Sequence, residues 1–158
     1  MNGSTIICSD TVVAGFGSPH GDDQAGWQVV DLLRRRQYLP ARAMKITEGT
    51  QLIDELDRCR RLIIVDACRC GVPIGAITRL RWPDPRIRQR HNHSTHGVGV
   101  CNALQLAERL DRMPPCVEVF GIEIGSHRPL DEVSAEVIKA ATELEEIIYA
   151  ELCEAVHA

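Results

Sequence analysis

Two adjacent aspartates, Asp22 and Asp23, stand in a glycine-rich turn that follows a short apolar run, and such carboxylates can bind a cation or transfer a proton. A G-x-G turn after a strand usually binds phosphate, because glycines let backbone N–H groups approach an anion. The dinucleotide-binding pattern G-x-G-x-x-G, however, needs a glycine at position 20, where this chain has His20. The two carboxylates would also repel a phosphate in the same turn. We therefore predict that the turn presents acidic groups to a cation.

Asp66 and His96 are two further side chains that could act with this turn. Asp66 ends the apolar run RLIIVD, which predicts a central strand, and His96 precedes a predicted helix that begins near Gly99. In a parallel sheet, strands end and the following helices begin at the same edge, where α/β proteins bind their ligands. We expect Asp23, Asp66 and His96 to meet there. Two carboxylates and an imidazole suit a borderline divalent transition metal, and three protein ligands leave coordination positions open.

Each of these residues also has a structural interpretation. An aspartate at the start of a helix often caps it, which would account for either Asp22 or Asp23. An aspartate that ends a buried strand is costly without a partner or a task, so a functional and a structural role both stay open for Asp66. A single histidine such as His96 is more often structural than a ligand when it is considered alone.

Other polar clusters lie near these candidates. Cys68 and Cys70 could be soft metal ligands, but a C-x-C without a second pair is weak evidence for zinc. The H-x-H-x-x-H spacing of residues 91–96 matches no face of a helix and is interpreted as a polar loop. Five arginines between positions 79 and 90 are interpreted as a solvated basic segment, with an acidic peptide or a protein partner as the alternative.

Strand and helix patterns alternate along most of the chain. Strands are predicted at 11–16, 44–47, 61–66, 75–82 and 117–124, and helices at 23–37, 51–59, 99–113 and 130–153. This alternation predicts an α/β fold, a three-layer α/β/α sandwich with helices on both faces of a mainly parallel, mixed sheet of about five strands. The 75–82 strand alternates as an edge or hairpin strand does.

Composition limits the classes of protein that fit. The 158 residues, 44% hydrophobic and 25% charged, are expected to form a single domain over 1–158. A net charge of −4 argues against a general nucleic-acid binder, and no apolar run predicts a membrane span. Because the N-terminus lacks a signal-peptide pattern and seven cysteines cannot all pair, we expect reduced thiols and a cytoplasmic location.

Four segments together carry a resemblance to a known family: GFGSPHGDDQAG, LIIVDA at 62–67, STHGVG at 94–99 and VFGIEIG at 119–125. In their order and separations they resemble the hydrogenase maturation proteases, endopeptidases that trim the large subunit of [NiFe] hydrogenases. The resemblance implies a monomeric α/β endopeptidase whose partner is the large-subunit precursor. It also implies that nickel is carried by the precursor and is not bound tightly by the isolated protease. By this resemblance Asp23, Asp66 and His96 recognise the nickel, and a C-terminal extension is then removed.

The turn departs from the family pattern in three respects. Ser18 replaces an asparagine, one residue is missing before the aspartate pair, and Gln24 replaces a glycine. The deletion leaves open whether Asp22 or Asp23 faces the metal, although the retained Gly26 favours Asp23. Gln24 also removes a residue that tolerates positive φ, so the turn is expected to differ locally.

Two other functions fit the same residues. One is a stand-alone metallohydrolase that keeps its own ion at Asp23, Asp66 and His96. The other is a non-catalytic nickel-binding accessory protein that uses cysteines and histidines as ligands. The chain has neither an H-E-x-x-H pair nor a G-x-S-x-G elbow. The group that activates water is left open between an aspartate and a metal-bound water.

Overall fold

The protein is organised around a five-stranded sheet with the strand order β2-β1-β3-β5-β4. The computed structural model describes residues 10–91, 98–125 and 131–158. The strands are β1 (Thr11–Phe16), β2 (Arg42–Ile46), β3 (Arg61–Cys68), β4 (Ile77–Arg81) and β5 (Cys116–Glu123). Four strands run parallel, and β4 pairs antiparallel with β5 at one edge.

Helices cover both faces of this sheet. They are α1 (Ala25–Arg34), α2 (Thr50–Ile53), α3 (Pro85–Arg90), α4 (Val100–Arg109) and α5 (Ala135–His157). Apolar side chains of α1 and α5 pack on one face, and those of α2, α3 and α4 pack on the other. The predicted three-layer α/β/α sandwich with a mixed, mainly parallel sheet is therefore confirmed. None of the helices in the described ranges is long and apolar enough to cross a membrane.

The central strands form because their side chains are apolar on both faces. Along β1, Val12 and Ala14 contribute to the core under α2 and α4, whereas Val13 contributes to the core under α1 and α5. Along β3, Ile63 and Ile64 divide between the same two cores. Side chains alternate between the faces of a strand, so a continuous apolar run fits only a strand that is covered on both sides.

Several predicted boundaries differ from the structure, and α3 falls on residues for which no helix was predicted. Two of the boundary differences have a clear local cause. The helix predicted at 51–59 ends at Ile53, because the chain continues in tight turns in which the N–H groups of Glu55 and Leu56 bond three residues back, and Arg58 has a φ of 61°. The β3 strand runs to Cys68, two residues past its predicted end, because it pairs with β5 over its whole length.

The amino edge of the sheet carries a network of ion pairs. Arg61 and Arg79 both bond to the Glu118 and Glu151 carboxylates, at distances between 2.6 and 3.1 Å. The network joins β3, β4, β5 and α5. It lies near the starts of β3 and β5, so it contributes to stability far from the carboxyl edge.

Candidate functional site

The carboxyl ends of β1 and β3 form the topological switch point of the sheet. The chain leaves β1 to form β2 on one side, whereas β3 lies on the other side and leads towards β5 and β4. The connections therefore run to opposite sides of this point and leave a crevice above the two strand ends, where open α/β sheets bind their ligands.

A close approach at Gly26 sets the start of α1 on this crevice. A Cβ atom at position 26 would lie 2.4 Å from the carbonyl oxygen of Phe16 and 2.5 Å from that of Val65. Only glycine lets the first turn of α1 contact the backbones of both β1 and β3 at this distance. The contact fixes Asp23, three residues earlier, relative to Asp66, which follows Val65.

The two aspartates of the turn have different environments. Asp22 is fully buried, and its carboxylate accepts hydrogen bonds from the backbone N–H groups of Gly125, at 3.1 Å, and Ser134, at 2.7 Å. Asp22 thereby joins the turn to the end of β5 and the start of α5. Asp23 is half-buried and accepts a hydrogen bond from the Ser18 hydroxyl. The carboxylate of Asp22 is therefore enclosed and joined to backbone groups, whereas that of Asp23 stays partly accessible.

The local turn accommodates two of the departures from the family pattern, Ser18 and Gln24. Residues Gly21–Gln24 form a short 3-10 turn before α1. Gln24 has a φ of −77°, which any residue adopts, so a glycine is not needed there. The positive φ of the turn, 52°, falls on Gly21 instead. Ser18 supplies the hydroxyl that holds Asp23.

Asp66 lies inside β3, opposite Gly121 of β5, and its side chain is 15% exposed. The Nδ1–H group of His91 donates a hydrogen bond to Oδ2 of Asp66 at 3.1 Å. Burial raises the pKa of Asp66, the hydrogen bond and charge of His91 oppose this rise, and the negative charge of Asp23 adds to it. The structure therefore brings Asp23 and Asp66 close enough for their charges to interact.

His96 lies outside the described residues. The described residues on either side of it are held near the carboxyl edge of the sheet. His91 contacts Asp66 on β3, and the backbone N–H of Val98 donates to Oε1 of Glu48 at 2.7 Å. The N–H of Gly49 in turn donates to the Val98 carbonyl at 2.9 Å, and both Glu48 and Gly49 follow the end of β2.

His91 is the site residue that sequence reasoning missed. The interpretation of residues 91–96 as a polar loop did not foresee the burial of His91, whose side chain is fully enclosed at the C-terminal cap of α3, and residues 92–96 lie outside the described ranges. Its N–H bonds to the carbonyl of Ile87, which lies four residues earlier and is also buried. The i, i+4 spacing of Ile87 and His91 on one helix face was the available signal.

An α/β/α sandwich with an acidic crevice at the β1–β3 switch point is the architecture of a known class of proteins, which the sequence identifies. Residues 28–151 match the sequence profile of the HycI hydrogenase maturation proteases, so the chain belongs to the hydrogenase maturation protease family. Asp66 lies within the matched residues, and Asp23 precedes them.

Individual proteins of known sequence or structure show the same relationship. The chain is 28% identical over 119 residues to the hydrogenase expression/formation protein HupD of Thiocapsa roseopersicina. That match covers 72% of this chain and 54%, about half, of the length of HupD. Among solved structures, the hydrogenase maturating endopeptidase HybD of Escherichia coli is similar, with a TM-score of 0.77 and 22% identity over 92% of this chain and 93% of that one. The maturation protease HycI of Thermococcus kodakarensis gives a TM-score of 0.72 and 21% identity, covering 91% and 92% of the two chains. At these identities the two structures establish the fold.

Proposed function

We propose that this chain is an endopeptidase that removes the C-terminal extension of a nickel-loaded [NiFe] hydrogenase large-subunit precursor. Membership of the family supports the reaction class. The observation that carries the proposal is the pair formed by Asp23 and Asp66 at the β1–β3 switch point. Within the described ranges, no lysine or arginine forms an ion pair with either carboxylate. Two like charges in a partly buried crevice favour a cation brought by a substrate.

In this proposal the nickel ion enters with the precursor. Asp23, Asp66 and His96 supply two carboxylates and an imidazole, a weak ligand set for nickel beside the thiolate-rich site that the family resemblance gives the precursor. The ion therefore stays on the precursor and contacts the protease only in the complex. Contact with the ion positions the scissile bond and polarises its carbonyl group or a water molecule.

Neighbouring side chains prepare both carboxylates for this contact. Ser18 holds Asp23 through its hydroxyl, and His91 holds Asp66 through Nδ1. Hydrogen bonds of this kind fix the orientation of a ligand before the metal arrives, which lowers the entropy lost when the ion is bound. The oriented carboxylates of Asp23 and Asp66 can therefore distinguish a nickel-loaded precursor from an empty one.

Cleavage of a nickel-loaded precursor by purified variants tests the proposal. Asp23→Asn and Asp66→Asn should each abolish removal of the extension, because each loses one charged ligand. Asp31→Asn is the matched control, since Asp31 is a partly exposed aspartate on α1 that pairs with Lys45 at 2.8 Å. It should cleave at the wild-type rate. Wild-type cleavage by Asp23→Asn and Asp66→Asn would contradict the assignment.

A further inference from the structure

A second group of metal-ligating side chains lies beside the crevice, at the carboxyl ends of β3 and β5. It consists of Cys68, Cys70 and Glu123, whose ligand atoms all lie within 4.8 Å of one another. Cys68 and Glu123 are direct cross-strand partners, and both are buried, at 2% and 4% exposure. Cys70 is only partly buried, so the group opens to solvent on one side.

The two oxygens of the Glu123 carboxylate have different partners. Oε1 accepts hydrogen bonds from the backbone N–H groups of Cys70 and Gly71, both at 3.0 Å. Oε2 accepts from the thiols of Cys70, at 3.0 Å, and Cys68, at 3.7 Å, and the N–H of Cys70 also reaches it at 3.0 Å. The backbone thus fixes the carboxylate through Oε1, while Oε2 faces both sulfur atoms.

These separations suit a tetrahedral ion. A zinc ion binds thiolate sulfur at about 2.3 Å and carboxylate oxygen at about 2.0 Å, which places sulfur and oxygen ligands about 3.5 Å apart. The two observed distances between sulfur and Oε2, 3.0 and 3.7 Å, lie on either side of that value. An ion could therefore replace the two thiol protons with small side-chain shifts and leave the hydrogen bonds to Oε1 in place.

We propose that Cys68, Cys70 and Glu123 bind a divalent transition metal ion of the zinc type. Two thiol S–H bonds break, two protons pass to solvent, and two sulfur–metal bonds and one oxygen–metal bond form. Thiolate sulfur selects zinc and similar borderline ions over magnesium or calcium. With three protein ligands, the fourth position faces the open side at Cys70 and takes a water molecule or an external ligand.

The bound ion would join structural elements that border the crevice. It would link the end of β3 to the end of β5 and hold the turn at Gly71, whose φ is 83°. Cys68 lies two residues beyond Asp66 and on the same face of β3, about 7 Å further along the strand. The ligand set shares no residue with Asp23, Asp66 and His96, so this inference does not rest on the proposed function.

Titration of the reduced full-length chain with cobalt(II) tests the site without any precursor. We expect a thiolate-to-cobalt charge-transfer absorption that saturates at one equivalent and disappears when zinc is added. Imidazole and carboxylate ligands alone do not give this band, so it reports the cysteines. Cys70→Ser should remove most of its intensity, and Glu123→Gln should weaken cobalt affinity at least tenfold.

Two controls make the test specific. Cys116→Ser changes a partly buried cysteine at the start of β5, at the opposite edge of the sheet, and should leave the band unchanged. Asp66→Asn should also leave it unchanged, which separates this site from the proposed nickel-recognition residues. Circular dichroism checks that each variant is folded. Absence of the band in the wild-type chain, or its retention at full intensity in folded Cys70→Ser, would overturn the inference.

Discussion

The His91 ring, which is fully buried, donates a hydrogen bond from Nδ1 to Oδ2 of Asp66 at 3.1 Å. The bond joins the end of α3 to β3 across 25 residues of sequence. Gly121 leaves room for it, because a Cβ atom there would lie 3.1 Å from Cε1 of His91. The hydrogen bond from His91 thus fixes the orientation of the Asp66 carboxylate, and His91 itself does not have to contact the substrate.

Replacement of His91 should reduce cleavage without unfolding the protein. His91→Leu keeps an apolar volume but loses the donor, so we expect cleavage of the loaded precursor to fall about 10–100-fold. His91→Asn places an amide N–H near the position of Nδ1 and should recover most of the activity. Initial rates of the two variants, compared with their urea unfolding curves, provide the measurement. Equal losses in the two variants would mean that His91 acts only through packing.

Asp66→Asn should separate stability from function. Burial, and to a smaller degree the charge of Asp23, raises the pKa of Asp66 above its ordinary value of 3.8. The stability that the neutral Asp66 carboxyl contributes is therefore fully present below pH 3.8 and is lost as the pH rises through the raised pKa. The uncharged amide introduced by Asp66→Asn avoids that loss and can still accept a hydrogen bond from His91.

We accordingly expect Asp66→Asn to be at least as stable as the wild type at pH 7 while cleavage is abolished. The difference in unfolding free energy should shrink as the pH falls towards 4. Chemical denaturation at several pH values measures this difference. A variant that is much less stable at pH 7 would assign Asp66 a structural role.

Gly26→Ala should damage the fold and the site together. The added Cβ would lie 2.4 Å from the Phe16 carbonyl oxygen and 2.5 Å from that of Val65, so the start of α1 must move. Overpacking of this kind costs about 1–3 kcal/mol, and displacement of Asp23 should reduce cleavage further. Gly71→Ala is a useful comparison, because a Cβ there meets no atom within 4 Å and only the positive φ opposes it. It should retain cleavage.

The network at the amino edge should govern acid stability. Burial alone would raise the pKa of Glu118, but hydrogen bonds from Arg79 and Arg61 outweigh it and lower that pKa below its ordinary value of 4.5. The resulting stability is present above pH 4.5 and is lost as the pH falls through the lowered pKa. Glu118→Gln should therefore cost about 2 kcal/mol at pH 7 and much less at low pH.

A matched control for Glu118→Gln is Glu55→Gln. Glu55 pairs with Arg42 at 2.9 Å, but both side chains are about two-fifths exposed. Exposed pairs contribute about 0–1 kcal/mol, so this variant should change the unfolding free energy little at any pH. Equal effects of the two substitutions would mean that the network contributes no more than a surface pair.

The features that the sequence predicts correctly are those that depend on the local pattern of apolar and polar residues. The apolar runs of β1 and β3 identify central strands, and the carboxyl-edge rule places Asp23 near Asp66 before any contact is known. Local patterns do not predict contacts between residues that are far apart in the sequence. Cys70 and Glu123 are 53 residues apart, and His91 reaches Asp66 only because α3 returns to β3. The retained Gly26 favours Asp23 over Asp22 in the sequence, but the hydrogen bonds that Asp22 accepts from the N–H groups of Gly125 and Ser134 are seen only in the structure.

The most direct test of nickel recognition compares one precursor in two states. Nickel-loaded and nickel-free samples of the same hydrogenase large-subunit precursor are incubated with the purified protein, and removal of the C-terminal extension is followed over time. We predict that the loaded precursor is cleaved and the empty one is not, and that Asp66→Asn lowers cleavage of the loaded form to the level of the empty form. Equal cleavage of both forms by the wild-type protein would contradict nickel recognition by Asp23, Asp66 and His96.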